Sequence, residues 1–399
     1  MVAYSEYPFD ARVQREAETL SATDRFEVTV ICLKSRDDGW PHRNNGVEVW
    51  ELDASKYTGG SRLQYFLSYL RFLIKAFAAC SWLLVGHGID IVHVHNIPNL
   101  LVLAGILPRL FGRPVILDMH DSIPDLFASK FDGTKKAVFK ALCVEEKMSS
   151  LLCDRIICVN EVQKRVIVQR GIPASKISVF MNVPDQRHFS APVKSPESPD
   201  HDGRFRLVYH GTIEERLGIA LAVEAVSEIR RQIPGVELHF WGGRPYWHSL
   251  SRQSQALGAG DIVHFHKAVP VDELARALVE MDVGVIPYKK TSATELALPV
   301  KMMEYIALGI PVVVPKLKAI EHYFTDEMVT YFQPENALSL IDAIVKVYSD
   351  RMARIARTSR AREFLALHGW HEQSVRFLRF YGNVLQRRLR RGRSLGGQE

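Results

Sequence analysis

The stretch TELALPVKMMEYIALGIPVVV, residues 294–314, decides the fold. Pro299 suits the first turn of a helix, Gly309 suits the position after a helix end, and Pro311 leads into an apolar β-branched run. The stretch therefore predicts a helix followed by a buried strand. Glu304 is flanked by apolar residues on that helix, where a carboxylate is costly to bury without a partner. Two partners stay open: ribose hydroxyls of a ligand, or a neighbouring lysine or arginine.

The alternation of apolar β-branched runs with helical patterns continues along the whole chain. The runs predict strands at residues 28–33, 47–52, 91–95, 115–119, 156–159, 177–179, 207–209, 237–241, 262–266, 283–287 and 312–314. Strands that alternate with helices are typical of parallel sheets built from βαβ units. The sequence therefore predicts an α/β protein with doubly wound domains.

A segment rich in Pro, Ser and Asp separates the chain into two halves and has the composition of a linker. The length of 399 residues also exceeds what a single core usually supports. We expect a first Rossmann-like domain at 1–189, a linker at 190–204 and a second Rossmann-like domain at 205–369. Residues 370–399 are expected to form a C-terminal helix that can pack back on the first domain and ends in a basic tail.

Composition restricts the class of partner. The apolar fraction of 47% and the charged fraction of 24% are ordinary for a globular chain. The net charge of +6 favours an anionic partner, such as a nucleotide, a phosphate or a phospholipid, but is too mild for a dedicated nucleic-acid binder. Five cysteines without a C-x-x-C pair fit a reducing cytosol, and no secretory signal is visible at the start. We therefore expect a cytoplasmic location.

Residues 63–85 are long enough to span a membrane, but Arg71 and Lys75 lie near the middle. Each charge there costs ~2.5 to 3.5 kcal/mol on the insertion scale, which disfavours a spanning helix. An amphipathic helix is expected instead, either purely structural or resting on a bilayer interface. The basic tail, which includes Arg387 and Arg388, is likewise either a solvated end or a contact with an anionic membrane surface.

Polar and glycine residues follow the predicted strands of the second half. Ligands of doubly wound sheets bind beyond the carboxyl ends of the strands, and helix N-termini there bind phosphates. Arginine adds a permanent set of donors, although each glycine alone also fits an ordinary tight turn. The candidates for this site are Gly211, Arg216, Gly242, Gly243, Arg244, Leu298, Pro299 and Lys301 for an anion, and Val269 as a place where a flat base could rest.

The first half carries a second set of candidates. Asp10 is a plausible N-cap for a helix that contains Arg12. Two strand ends then follow, with His95 and Asn96 after one strand and His120 and Asp121 after the next. Two histidines at adjacent strand ends are either structural or functional. We find no metal-ligand spacing, no G-x-S-x-G, no P-loop and no early G-x-G-x-x-G, which argues against a dinucleotide-dependent oxidoreductase.

Together these motifs resemble the retaining glycosyltransferases of family 4, the glycosyl transferases of group 1. The resemblance is carried by Tyr7-Pro8-x-Asp10-x-Arg12, His93-x-His95-Asn96, Asp118-x-His120-Asp121, His210-Gly211-Thr212 with Arg216, and Leu298-Pro299-x-Lys301-x-x-Glu304-Tyr305. It implies the GT-B fold, with two Rossmann-like doubly wound domains facing a central cleft. The second domain would hold a nucleotide-sugar donor, and the first a glycan or lipid-linked acceptor.

The resemblance also implies roles for individual residues. Glu304 would bind the ribose, Arg216 and Lys301 the donor diphosphate, and His120 would lie near the transferring sugar. Glu295 would be the first glutamate of the family's E-x7-E motif, although it stands nine positions before Glu304 instead of eight. The other anion-site candidates would line the donor site. The acceptor side would hold Asp10, Arg12, His95, Asn96 and Asp121, and neither a metal nor a cofactor is expected.

The implied activity is a retaining, metal-independent transfer of a hexose-like sugar in surface polysaccharide or glycolipid assembly, with no nucleic acid as partner. The transferase would be cytoplasmic, with attachment to the inner face of the cell membrane as an option. Two alternatives stay open: a non-catalytic nucleotide-sugar binder or assembly scaffold, and a nucleotide-sugar epimerase of the same fold. The short strand expected at residues 1–5, with no glycine before Asp10, departs from the family pattern and favours the scaffold.

Overall fold

The computed structural model describes residues 1–35, 42–54, 62–131, 136–190, 203–243 and 246–395. The chain divides into two compact units: the first is Met1–Met181 together with His371–Glu399, and the second is Asn182–Trp370. The division at Met181 comes earlier than the domain end expected at 189. The chain thus leaves the first unit once and returns to it at its end.

The described part of the first unit is an α/β layer structure. Its strands are β1 (Val2–Glu6), β2 (Thr29–Leu33), β3 (His42–Asn44), β4 (Val47–Leu52), β5 (Val92–His95), β6 (Val115–Met119), β7 (Arg155–Cys158) and β8 (Ile177–Val179). Its helices up to the division are α1 (Ala11–Ser21), α2 (Arg62–Gly86), α3 (Ile106–Leu110), α4 (Ile123–Lys130), α5 (Lys136–Leu151) and α6 (Glu161–Gln169).

The second unit repeats this architecture in its described residues. Its strands are β9 (Phe205–Gly211), β10 (Val236–Gly242), β11 (Val263–Lys267), β12 (Val283–Val285), β13 (Val312–Pro315) and β14 (Thr330–Phe332). Its helices are α7 (Ile219–Ile229), α8 (Trp247–Ala256), α9 (Val271–Val279), α10 (Ser292–Leu296), α11 (Val300–Ala307), α12 (Lys318–Tyr323), α13 (Ala337–Ser349) and α14 (Arg351–His368). The last helix of the chain, α15 (Trp370–Leu395), returns to the first unit.

The sheet of the first unit has the strand order β3-β4-β2-β1-β5-β6-β7-β8 in the described residues. Only β3 runs antiparallel to its neighbour, β4. β1 lies inside this sheet and pairs with β2 and β5, with Val2 opposite both Ile31 and Val94. The short strand expected at the start is thus a five-residue interior strand. Its parallel neighbours on both sides satisfy its backbone hydrogen-bonding groups.

The sheet of the second unit has the order β11-β10-β9-β12-β13-β14 in the described residues, and its neighbouring strands are parallel. The ends of β9 and β10 lie side by side, with Gly211 opposite Gly242. A Cβ on Gly242 would lie 2.1 Å from the carbonyl oxygen of Gly211. Glycine is therefore required for these two strand ends to approach so closely.

The helix α15 supplies part of the core of the first unit. Phe377 and Tyr381 are buried, and Phe377 packs edge-on against Phe180 with ring centroids 5.3 Å apart. Gln373 accepts a hydrogen bond from the Met181 N–H at 2.6 Å. The first unit is thus built from two segments that are far apart in sequence.

Candidate functional site

In the second unit, Glu304 on α11 binds a histidine from the end of β9. His210 Nε2 lies 2.7 Å from Glu304 Oε2. Tyr305 Oη accepts from the His210 backbone N–H at 2.9 Å and lies 2.9 Å from His210 Nδ1. Burial raises the pKa of Tyr305 well above its usual range, so Tyr305 keeps its proton and meets His210 as a neutral hydroxyl.

Within the protein, Glu304 Oε2 is held by His210 rather than by a lysine or arginine. The Glu304 side chain keeps 16% of its surface exposed, so Oε1 can still accept from a ligand hydroxyl. This carboxylate is therefore oriented by the protein and remains open to a ligand.

Lys301 lies one helical turn before Glu304 on α11. Its Nζ donates to Tyr209 Oη at 2.8 Å and sits 4.0 Å from the centroid of the Tyr209 ring. A Cβ on Gly211 would lie 3.1 Å from this Nζ, so the glycine at the end of β9 makes room for the ammonium group. Burial, with a smaller contribution from the positive charge of Arg216, lowers the pKa of Lys301 to about 7. The environment of Lys301 thus disfavours its charge, as expected at a site that awaits an anion.

Arg216 lies between β9 and α7, on a short 3-10 turn. Its Nε donates to Glu214 Oε2 at 2.5 Å, and 24% of its side chain is exposed. Gly218 follows in the left-handed conformation at φ 69°, and a Cβ there would lie 2.3 Å from the Pro287 carbonyl oxygen. The loop that carries Arg216 is therefore fixed against the segment after β12.

Glu295 is buried on α10, and its partners are lysines. Lys318 Nζ lies 2.8 Å from Oε2 and Lys290 Nζ lies 4.0 Å from Oε1. Glu295 and Glu304 stand on separate helices, α10 and α11, with Pro299 as the N-cap of the second. Because the helix breaks between them, the nine-position spacing in the sequence does not determine the relative position of the two carboxylates.

Of the remaining donor-side candidates, Gly243 and Val269 follow the carboxyl ends of strands, whereas Leu298 and Pro299 lie between α10 and α11. Gly243 is exposed after β10, Val269 is partly buried between β11 and α9, and Leu298 and Pro299 precede α11. The first turn of α11 has no side-chain cap. Arg244 lies outside the described residues.

In the first unit, Arg12 holds Asp118. Its Nε donates to Asp118 Oδ2 at 2.9 Å and its Nη2 to Oδ1 at 3.1 Å, while its Nη1 donates to the Phe180 carbonyl oxygen at 3.1 Å. Both side chains are buried. Arg12, expected on the acceptor side, therefore serves to orient Asp118 in this unit, and its guanidinium keeps the pKa of that carboxyl well below its usual range against the effect of burial.

Asp118 in turn faces His120 and His95. Its Oδ2 lies 3.3 Å from His120 Nε2 and 3.5 Å from His95 Nδ1. Burial alone would lower the pKa of His120, but the Asp118 carboxylate outweighs burial and raises it. His120 keeps 21% of its side chain exposed, whereas His95 is buried and its pKa is lowered by burial. His120 is therefore the member of this group that a substrate can reach.

Asn96, Asp10 and Asp121 surround His120. Asn96 Oδ1 accepts from the His120 N–H at 2.8 Å, and its Nδ2 donates to the Asp121 carbonyl oxygen at 2.8 Å. Asp10 caps α1 as expected, by accepting from the Val13 N–H at 3.2 Å. Burial would raise the pKa of Asp10, but the nearby His120 keeps it below its usual value. Asn96 thus positions the histidine, while Asp121 is exposed.

A second layer of ionisable groups lies behind Asp118. Glu16, His93, His95 and Asp118 place possible ligand atoms within 4.8 Å of one another, a grouping that the sequence spacing did not predict. Arg12 already pairs with Asp118 and lies 3.1 Å from Glu16. Burial raises the pKa of Glu16 to about 8, which favours its neutral form. The group therefore fits an internally neutralised network better than a cation site.

Sequence reasoning missed the roles of His210 and Asp118. Both stand inside motifs that were recognised: His210 directly precedes Gly211, and Asp118 lies two positions before His120. Their position at the carboxyl ends of β9 and β6 was the available signal. Their partners, Glu304 and Arg12, are 94 and 106 positions away, which no local spacing reveals.

Comparisons with known proteins bear on the family and the fold of this chain. Residues 10–182 match the family model described as a glycosyl transferase 4-like domain, and residues 204–350 match the model described as glycosyl transferases group 1. Sucrose-phosphate synthase from Thermosynechococcus elongatus has a similar structure, with a TM-score of 0.76 at 19% identity over 96% of this chain and 99% of that one. At this identity the likeness shows the fold, which is the expected GT-B arrangement of two Rossmann-like domains.

Two curated relatives are similar in sequence. WcaL of Escherichia coli, assigned to colanic acid biosynthesis as a glycosyltransferase, is 24% identical over 228 residues, which is 56% of this chain and 54% of WcaL. A GDP-mannose-dependent alpha-(1-6)-phosphatidylinositol monomannoside mannosyltransferase of Mycolicibacterium smegmatis is 29% identical over 130 residues, 29% of this chain and 34% of the relative. The chain therefore matches about half the length of the first relative and a third of the second.

Proposed function

The chain belongs to the glycosyl transferases of group 1, and we propose that it transfers a sugar from a nucleotide-sugar donor to a glycan or lipid-linked acceptor. The product would be a surface polysaccharide or a glycolipid. The names of the two relatives, one assigned to colanic acid and one to a phosphatidylinositol mannoside, support this range of acceptors.

The observation that carries the proposal is the pair of adjacent groups on α11. Glu304, held by His210, is a carboxylate suited to vicinal ribose hydroxyls, and Lys301 lies one turn earlier beside Gly211. A diphosphate placed near Lys301 and Arg216 would meet two cations and the uncapped N–H groups of the first turn of α11. One helix thus offers both the ribose and the diphosphate contacts of a nucleotide sugar.

The chemistry we propose is electrostatic. As the bond between the sugar and the β-phosphate breaks, negative charge develops on the phosphate, where Lys301 and Arg216 stabilise it. These two side chains would supply the positive charge that a divalent metal supplies in other transferases, so we propose a metal-independent reaction. We also propose retention of the anomeric configuration, with the acceptor hydroxyl attacking from the face that the phosphate leaves.

We assign the acceptor to the first unit, where His120 is the group of its cluster that a substrate can reach. Asp118 raises the pKa of His120 and so favours an imidazolium that donates hydrogen bonds. Such a donor would stabilise a sugar hydroxyl or the charge of the transition state. Arg12 and Asn96 would act through Asp118 and His120 rather than by touching the acceptor.

The test is a thermal-shift screen against UDP-, GDP-, dTDP- and ADP-sugars, followed by calorimetry. A ligand at ~100 times its dissociation constant stabilises the folded chain by ~2.7 kcal/mol. We expect one nucleotide to bind, binding to be weakened in Glu304→Ala, and binding to be kept in Glu224→Ala, a change of an exposed glutamate on α7. Product analysis by NMR then shows whether the anomer is retained. No shift with any donor, or an equal shift in Glu304→Ala, would refute the assignment.

We further propose that the protein is cytoplasmic and sits peripherally on the inner face of the membrane through α2. Residues Phe66–Gly86 are long and apolar enough to cross a membrane by length and composition. However, α2 buries Phe72 and Ala76 in the first unit, and Lys75 Nζ donates to the Asp53 carbonyl oxygen at 2.7 Å. Its opposite side exposes Phe66, Leu67, Leu70, Ile74, Phe77, Trp82 and Val85. A helix that is anchored on one side and apolar on the other favours lying in the interface over spanning it.

Co-sedimentation with vesicles tests this location. We expect the chain to bind vesicles that contain phosphatidylglycerol and to lose most of this binding in Ile74→Glu. The control is Leu338→Glu, which changes an exposed leucine on α13 in the second unit. Equal binding of all three proteins would refute a role for α2.

A further inference from the structure

Three imidazoles and a carboxylate form a cluster at the edge of the second sheet, away from Glu304 and Lys301. β10 and β11 are paired in parallel register, with His239 opposite His264 and Trp241 opposite His266. Since successive side chains of a strand alternate between the two faces, Glu237, His239 and His264 share one face. This pattern has no part in the proposed sugar transfer.

The distances within the cluster suit metal ligation. Glu237 Oε2 lies 3.1 Å from His239 Nε2, and Glu237 Oε1 lies 4.0 Å from His264 Nε2. Ligand atoms of Glu237, His239 and His264 all fall within 4.8 Å of one another. Tetrahedral zinc with bonds near 2.0 to 2.1 Å separates its ligand atoms by roughly 3.3 Å. Small side-chain rotations therefore bring the three ligand atoms to that spacing.

We propose that Glu237, His239 and His264 form a binding site for a first-row transition-metal dication such as Zn²⁺, with His266 orienting His239. The metal would take the place of the proton between His239 Nε2 and Glu237 Oε2, and a water molecule would complete the coordination. His264, 37% exposed on the edge strand, leaves a path for entry. Two nitrogen ligands and one oxygen ligand favour Zn²⁺, Cu²⁺ or Ni²⁺ over Mg²⁺ or Ca²⁺.

His266 completes the arrangement. Its Nε2 lies 3.0 Å from His239 Nδ1, and the two rings are stacked. When His239 binds a metal through Nε2, its Nδ1 carries a proton. This N–H can then donate a hydrogen bond to His266 Nε2. Metal-bound histidines commonly donate their other ring N–H in this way, and the partner fixes both tautomer and ring orientation. Trp241 stacks on His266 with centroids 4.1 Å apart, so its fluorescence is placed to report the event.

Two arginines oppose the metal and set its affinity. Arg204 Nη1 donates to Glu237 Oε1 at 3.0 Å, and Arg206 Nε lies 3.7 Å from Oε2. The Arg204 side chain is 54% exposed and can turn to solvent when a metal binds. Removing its charge should therefore tighten metal binding, a direction that a merely structural cluster would not produce.

The experiment uses the untagged full chain, freed of metal by dialysis against a chelator. Co²⁺ and Zn²⁺ are titrated while visible cobalt absorption and tryptophan fluorescence are recorded. We expect one equivalent of Co²⁺ that Zn²⁺ displaces. Metal uptake no stronger than that of His264→Gln would overturn the proposal.

Variants locate the site. His239→Gln and His264→Gln should each abolish the specific equivalent, and His266→Gln should weaken it by about 10- to 100-fold. Arg204→Gln should strengthen it, and His322→Gln, which changes an exposed histidine on α12, should leave it unchanged. His264 is only partly buried, so His264→Gln decides the question even if His239→Gln fails to fold. Unchanged cobalt binding in His264→Gln would refute the site. The metal would then bind elsewhere, for example at the buried cluster around Asp118.

Discussion

Lys301 predicts a specific pH dependence of donor binding. Burial holds its pKa at about 7 in the free protein, against an ordinary value of 10.5. A donor diphosphate would favour the charged form and return the pKa toward that ordinary value. Above pH 7 the free protein must then take up a proton to bind. Affinity for a nucleotide sugar should fall by about 50-fold from pH 7 to pH 9, because the protonated fraction falls from about one half to about one hundredth.

The assay is calorimetric titration of the best nucleotide sugar from the thermal-shift screen at half-unit steps from pH 7 to pH 9. Lys301→Arg stays charged over this range and should bind with little pH dependence. Lys301→Met should bind weakly at every pH. Lys346→Arg, a change on the exposed side of α13, should titrate like the wild type. A flat wild-type profile, or a slope that Lys301→Arg retains, would refute the reasoning.

Unfolding cannot mimic this result, because its sign is opposite. The folded pKa of Lys301 lies below the unfolded value, so the unfolded chain binds more protons between pH 7 and about 10.5. This group therefore makes the ligand-free protein more stable as pH rises through that range. Thermal melts of the free wild type and Lys301→Met at each pH separate the two effects.

Three further predictions concern single side chains. Glu304→Ala removes the carboxylate that His210 orients, and donor affinity should fall by about 10- to 100-fold in calorimetry, since a hydrogen bond to a charged group contributes ~1.5 to 3 kcal/mol. His120→Ala should lower kcat by about 100-fold with the donor KM nearly unchanged, and a matching rise in KM instead would mean that His120 only binds substrate. Gly284→Ala places a Cβ 2.2 Å from the Tyr305 ring, so the free energy of unfolding measured in urea should fall by ~1 to 3 kcal/mol. An unchanged urea midpoint would contradict the close packing of Gly284 against this ring.

Much of the fold was predictable because parallel, doubly covered strands are continuous apolar runs. The strands at 47–52, 115–119 and 177–179 match the structure residue for residue. β3 and β14 were missed. β3 is His-Arg-Asn and has no apolar residue, and β14 is Thr-Tyr-Phe, a run too short to stand out from its surroundings.

The candidate site was predictable by position but not by partner. Strand ends indicated where Gly211 and His120 would lie, since ligands of these sheets bind there, and a helix N-terminus indicated Lys301. The pairing of Glu304 with His210 depends on how α11 packs against the end of β9, which is a tertiary property. The burial of Arg12 against Asp118 is likewise a tertiary property that cannot be read from the motif.

The return of α15 to the first unit has a consequence for synthesis on the ribosome. The core of that unit needs Phe377 and Tyr381, which emerge only after the whole second unit, Asn182–Trp370, has been translated. The second unit can therefore complete its fold first, although it is encoded later than most of the other. Until then, the apolar groove that receives α15 stays open, and a nascent chain stalled before residue 371 would present it to chaperones.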